Sequence, residues 1–195
     1  MFKTPRPIMA DAYTVACHMF DSPEANENSS YYITNRKSPS SIPQFPGNPN
    51  DQRMIFVGLT NLIYKIFQEP ITHAEIDESI RFLRNRKASV TGMVDFEFPE
   101  HLWRQIVVDF KGFPPLEISA LPEGSIFYPN EPIIKVKNTV PGFGPIAVHY
   151  ESMLLKVWGS IERATMIHHW YRWLFNFVES IEKDLFPEQV HDIVS

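Results

Sequence analysis

Prolines set the outer limits of what this chain can fold into. There are 17 of them in 195 residues, and Pro39, Pro43, Pro46 and Pro49 fall with Gly47 inside residues 35–51. A proline ring fixes φ and removes a backbone donor, so neither helix nor sheet runs through that stretch. The spacing predicts a long loop there, and loops of this length within compact domains are usually functional or disordered. A second Pro/Gly loop is expected over 138–145. Regular structure must be assembled from short pieces between such breaks.

Those pieces read as follows. Ile8, Met9, Ala12, Val15, Ala16 and Met19 have helical spacing and predict a helix over 8–20, with Asp11 near its start. Residues 31–34, aromatic and β-branched, predict a strand. Residues 54–67 read as one apolar helix. Thr72 and Glu75 form a capping box that opens a helix over 74–86, with Ile76, Ile80 and Leu83 inward. Pro99 suits the first turn of a helix over 99–110, with Leu102, Ile106 and Val107 facing in. From Pro115 the period becomes two, predicting a meander of strands around 116–120, 126–128 and 133–136. Helices over 146–158 and 161–182 follow, then a frayed tail over 187–195. The pattern is α+β, with an N-terminal unit over 1–145 and a helical segment over 146–195.

Composition removes several classes of function. A formal net charge of -5 lacks the clustered Lys and Arg that displace counterions from nucleic acid. The single cysteine, Cys17, excludes an internal disulfide and makes no thiolate zinc site. The first ten residues hold no signal-peptide core, and every long apolar run is broken by charge, so a soluble cytoplasmic protein without a membrane span is expected.

Chemistry-bearing motifs are sparse. G-x-x-x-x-G-K-[ST], G-x-G-x-x-G and G-x-S-x-G are absent from the sequence. His168 and His169 are adjacent on a helix, hence about 100° apart, which suits packing or surface roles better than shared chelation. Asp11 reads locally as a helix cap and Tyr13 as core packing; the alternative is a tyrosine held at a pocket rim to stack on a flat ligand. Arg36 and Lys37 follow a strand and precede the long loop. A solvated basic pair and a phosphate grip are level readings there. Pro122-Glu123-Gly124 and residues 129–132 read as turns between strands. Trp158, Trp170, Tyr171, Trp173, Phe175 and Phe177 are more aromatics than one helix face buries. They need a partner surface, either the rest of a larger fold or another subunit.

The motifs, in order, resemble a known family. Ala10-Asp11-Ala12-Tyr13 is similar to the N-terminal Asp-x-Tyr signature of the nicotinamide and nicotinate phosphoribosyltransferases. The strand ending in Asn35-Arg36-Lys37 resembles the one that follows it in that family, and Phe56-Val57-Gly58-Leu59 its F-x-G-L helix start. Most specific are Pro115-Leu116-Glu117-Ile118-Ser119-Ala120-Leu121-Pro122-Glu123-Gly124 and Val136-Lys137-Asn138-Thr139, which match consecutive family elements in order and spacing. Glu151 to Leu155 with Trp158 resembles the helix after them, and the turn from Asn138 to Pro141 echoes the nicotinamide branch.

The resemblance implies transfer of a phosphoribosyl group from phosphoribosyl pyrophosphate (PRPP) to nicotinamide or nicotinate, with Mg²⁺, in NAD salvage. It implies the N-terminal domain of a type II phosphoribosyltransferase-like fold, with helices leading into an incomplete α/β barrel, and head-to-tail dimers with the site at the subunit interface. Tyr13 would stack on the pyridine ring with Asp11 beside it, and Arg36, with Lys37, would approach the phosphates. Thr14 departs from the lysine of many relatives. The family's second ring-stacking aromatic, its barrel-end carboxylates, histidine and phosphate loop have no counterpart, nor do the ligands of Mg²⁺. The chain is therefore expected to be inactive alone and to need a barrel-containing second polypeptide or a homologous subunit. A non-catalytic binding or regulatory module, and an interrupted gene product, are the alternatives.

Overall fold

The computed structural model describes residues 4–41, 48, 50–87 and 98–185. Its helices are α1 (Ala12–Ala16), α2 (Pro23–Glu27), α3 (Leu59–Phe67), α4 (His73–Lys87), α5 (Glu100–Asp109), α6 (Gly144–Leu154) and α7 (Trp158–Leu185). The strands are β1 (Ser30–Thr34), β2 (Met54–Ile55), β3 (Leu116–Ala120), β4 (Ile126–Phe127) and β5 (Pro132–Asn138). Helix and sheet share one core, which is the mixed class expected. No helix among the described residues is long and apolar enough to cross a membrane. The tail over 187–195 and positions 42–47 and 49 of the long loop lie outside the described residues.

The strands do not form a meander. β5 lies between β1 and β3 in an antiparallel sheet, while β4 turns away to pair with β2. The reason is burial on both faces of β5: Ile133 and Ile134 are adjacent, point to opposite sides, and are each 1% exposed. A strand apolar on both faces belongs at the centre of a sheet. Ile33 of β1 and Val136 of β5 extend this core toward Ile146, Tyr150 and Met153 of α6.

Two helices expected from periodicity are shorter in the structure. The one over 8–20 is reduced to α1, flanked by 3₁₀ turns at Arg6–Ile8 and Cys17–Met19. Asp11 is extended ahead of it, its N–H donating to Ser152 Oγ at 3.0 Å, so the chain cannot coil there. The one over 54–67 is split into β2 and α3 by Gly58, whose φ is +100°. Phe56 N–H donates to Ser125 O, and Gly124 N–H to Phe56 O, which ties this break to the Pro122-Glu123-Gly124 turn. Glu123 is more than a turn residue. Its carboxylate accepts from the N–H groups of Gly58 (3.0 Å) and Thr60 (2.7 Å), capping α3 from a distance. Those backbone donors hold its carboxyl below the usual range.

The most heavily bonded side chain is Arg6, 4% exposed. Its guanidinium donates to the carbonyls of Ile66, Glu69 and Pro70 at the end of α3, and to both carboxylate oxygens of Glu75 at 2.8 and 2.6 Å. It thus satisfies orphan carbonyls at one helix end and grips the first turn of the next. Thr72 Oγ1 accepts from Glu75 N–H as the capping box requires, while the Glu75 carboxylate serves Arg6. Asn138 does similar work at the other end of the core. Its amide donates to Glu27 O and Val140 O and its oxygen accepts from Ser29 N–H.

His149 of α6 is buried, with Nε2 donating to Arg6 O at 3.0 Å and its ring edge-on to Trp103. Burial first, then Lys156, pushes its pKa down to about 4, against a lone raising contribution from the Arg6 carbonyl. A histidine whose folded pKa lies below its unfolded value stabilises fully above the latter and progressively less as pH falls. Stability is therefore expected to drop between pH 6.5 and about 4. A His149→Gln variant, which keeps a donor but cannot titrate, should lose this step in urea-unfolding curves recorded across that range.

Candidate functional site

The region around α1 carries the first pair of expected site residues. Local chemistry favours Asp11 as a cap and Tyr13 as a core residue; the structure puts Asp11 at the N-cap position without a side-chain cap and overturns the core reading of Tyr13. The Asp11 side chain makes no capping bond to α1, and its backbone carbonyl instead accepts from Thr14 N–H (3.0 Å) and Thr14 Oγ1 (2.7 Å). Tyr13 is 63% exposed, because Thr14, Val15 and Ala16 take the inward positions of this short helix. Its ring stands free for stacking while its backbone is held by α1.

Three residues of the α6 region complete this patch, and sequence reasoning assigned none of them a role. Ser152 anchors Asp11 through its hydroxyl. Glu151 is half-buried; burial, then the neighbouring Asp11 carboxylate, raises its affinity for a proton. Lys156 donates to Met9 O at 2.9 Å, and burial lowers its pKa while Asp11 opposes that. Burial, then Asp11, Glu151 and Cys17, raise the Tyr13 phenol. The arrangement is an exposed ring beside two carboxylates and one ammonium. It can stack a flat ring and exchange hydrogen bonds with an amide or acid attached to it. The signal for Glu151 lay in the motif from Glu151 to Leu155, which was read only as a helix.

Arg36 and Lys37 lie elsewhere, just past the end of β1, with both side chains exposed. Their position is well fixed: Asn35 O accepts from Asn130 N–H at 2.6 Å, and Asn35 Nδ2 contacts Met54 Sδ at 3.2 Å. Among the described residues no hydrogen bond or ion pair joins Arg36 or Lys37 to Asp11 or Tyr13.

Of the adjacent histidines, His169 packs inside and His168 is half-buried. His169 is buried, donating from Nε2 to Arg53 O at 2.9 Å, with Nδ1 3.8 Å from the Asp51 carboxylate. Asp51 is held well below the usual carboxylate range, chiefly by the Arg53 guanidinium at 2.6 and 2.8 Å. A cleft of about 280 Å³ opens beside them, lined by Arg172, Trp173 and Asn176 among others. Among the described residues there is no group of three or more His, Cys, Asp or Glu placed to hold a metal ion.

No family model matches the chain. Over 185 residues, 93% of its length, the chain is 25% identical to nicotinamide phosphoribosyltransferase of Xanthomonas campestris pv. campestris (strain 8004), of which it covers 35%. Among solved structures, human nicotinic acid phosphoribosyltransferase superposes with a TM-score of 0.48 at 16% identity, covering 83% of this chain and 27% of that one. The chain spans about a third of the curated relative it matches. Across nearly its whole length, then, this chain is similar to one part of a nicotinamide phosphoribosyltransferase.

Proposed function

We propose that the chain supplies the N-terminal part of a nicotinamide (or nicotinate) phosphoribosyltransferase, transferring phosphoribosyl from PRPP to a pyridine nitrogen in NAD salvage. The observation that carries this reading is the similarity to nicotinamide phosphoribosyltransferase over 93% of the chain but 35% of the relative. Residues 1–145 form the α+β part, and 146–195 lead toward a barrel contributed by a second polypeptide or a homologous subunit. Tyr13 stacks on the pyridine ring, with Asp11 beside it, and Arg36 and Lys37 meet the phosphates of PRPP. Support for the first role is the exposed ring on α1; for the second, the guanidinium and ammonium presented at a fixed strand end. The Mg²⁺ that accompanies PRPP has no ligand cluster among the described residues, and no step is assigned to it.

Phosphoribosyl transfer depends on charges placed around pyrophosphate and the developing sugar cation, and a chain with few of them should be inactive alone. The test mixes the purified chain with a barrel-containing polypeptide and follows mononucleotide formation. Activity should appear only in the mixture. Tyr13→Ala should then lower kcat/KM for the pyridine base about tenfold, and Arg36→Ala should raise KM for PRPP by roughly tenfold or more. A mixture that stays inactive, or one indifferent to both substitutions, would end this reading.

A further inference from the structure

Helix α1 is too short to hold its own place. It has five residues, and a helix of that length is unstable in water without tertiary support. Its N-cap residue, Asp11, makes no side-chain capping bond. The exposed ring of Tyr13 therefore takes its direction from whatever holds the segment just ahead of it. Two side chains from the end of α6 and the turn after it do so. Ser152, 6% exposed, accepts from the Asp11 N–H at 3.0 Å. Lys156, four residues on, donates from Nζ to Met9 O at 2.9 Å. The two bonds grip backbone groups two residues apart, one a donor and the other an acceptor. Asp11 O in turn accepts from Thr14 N–H and Thr14 Oγ1, which ties the pinned residue to α1 itself on the far side of Tyr13.

We infer that Ser152 and Lys156 are positioning residues: they dock α1 against α6 and thereby set the direction of the Tyr13 ring. For catalysis this rests on the phosphoribosyltransferase reading, in which that ring stacks on the pyridine base; the docking itself does not depend on it. The pair acts on the base alone, since no bond joins this patch to Arg36 or Lys37. Misplacing a group by about 1 Å can cost a factor of ~100 at a reacting centre. A stacking ring lies one step away from that centre, so the ceiling here is the tenfold loss expected of Tyr13→Ala.

The test uses the full chain and its single thiol. Cys17 follows α1 directly, is half-buried, and donates from Sγ to Tyr13 O at 3.4 Å. Its labelling by a neutral thiol reagent reads how often α1 leaves its place. Ser152→Ala should speed labelling about fivefold, the worth of one ordinary hydrogen bond. Adding Lys156→Met should bring the gain to about tenfold or more. Ser152→Thr, which keeps the accepting oxygen, should label at the wild-type rate. In the active mixture, the Ser152→Ala, Lys156→Met chain should lose about fivefold in kcat/KM for the pyridine base, with KM for PRPP unchanged. In a Tyr13→Ala background the same pair should bring no further loss, because the ring through which it acts is gone. Labelling unmoved by the substitutions overturns the docking, and a loss that persists without Tyr13 overturns the positioning role. Faster labelling beside an inactive mixture upholds the docking and removes the phosphoribosyltransferase reading.

Discussion

Replacing Arg6 with methionine should lower the unfolding free energy by about 3–5 kcal/mol. The guanidinium is buried, with its side chain 5% exposed against 15% for Glu75. The substitution takes the guanidinium away from the Glu75 carboxylate, which keeps the Arg6 backbone N–H at 2.7 Å, and from the carbonyls of Ile66, Glu69 and Pro70. A largely buried carboxylate that loses its cation costs more than the net worth of the pair that it leaves. The double variant Arg6→Met with Glu75→Leu should therefore recover part of the loss, and that recovery separates a stranded charge from simple loss of side-chain contacts. Arg6→Lys should fall between them, since an ammonium cannot span a carboxylate and three carbonyls with a planar fork. Urea unfolding of the four proteins decides the order; equal stability of wild type and Arg6→Met would contradict the geometry.

Gly58→Ala should be nearly as damaging, at about 4 kcal/mol. Two independent penalties coincide there. The backbone sits at φ +100°, where a side chain is strained, and an added Cβ would lie 2.5 Å from Ser160 Cβ. Relief would have to come from shifting α7 away from α3, which also disturbs Thr165 over β2. A Gly58→Ala, Ser160→Gly double variant removes the clash but not the strain. It should regain about half of the loss in thermal unfolding. Recovery to full stability would show that the left-handed backbone at Gly58 costs nothing.

Both predictions concern contacts that no local pattern announces. Signals confined to a few neighbouring residues were readable from the chain: the strand at 31–34, the Thr72 cap, Pro99 ahead of α5. What could not be read was the choice of distant partner. Nothing near Arg6 foretells a carboxylate 69 positions away. Alternation alone does not say that β4 leaves β5 for β2, because two-residue strands carry too little pattern to prefer a neighbour. The split of 54–67 was hinted only by Gly58, which a helical period tolerates on paper. At the candidate site, the motif suggested Asp11 and Tyr13, but not that the helix predicted over 8–20 would shrink to α1 with Asp11 extended ahead of it. It did not reveal Glu151 and Lys156, which reach the patch from α6 and the turn after it. The family-like motifs also gain a physical content: Glu123 caps the helix that Gly58 opens, and Asn138 ties β5 to the end of α2.

The placement of β5 has a kinetic consequence. Its flanking strand β1 arrives early in synthesis, yet Ser30 finds Lys137 only after more than half the chain has followed. Asp11 must likewise wait for Ser152, 141 residues later, and the Arg6 carbonyl for His149, 143 residues later. Loop closure over such spans precedes any reward from contact, which makes folding slow and leaves early apolar segments without cover. The nascent polypeptide therefore emerges with its first strand unmated, and chaperone dependence should be greatest before residue 138 clears the ribosome.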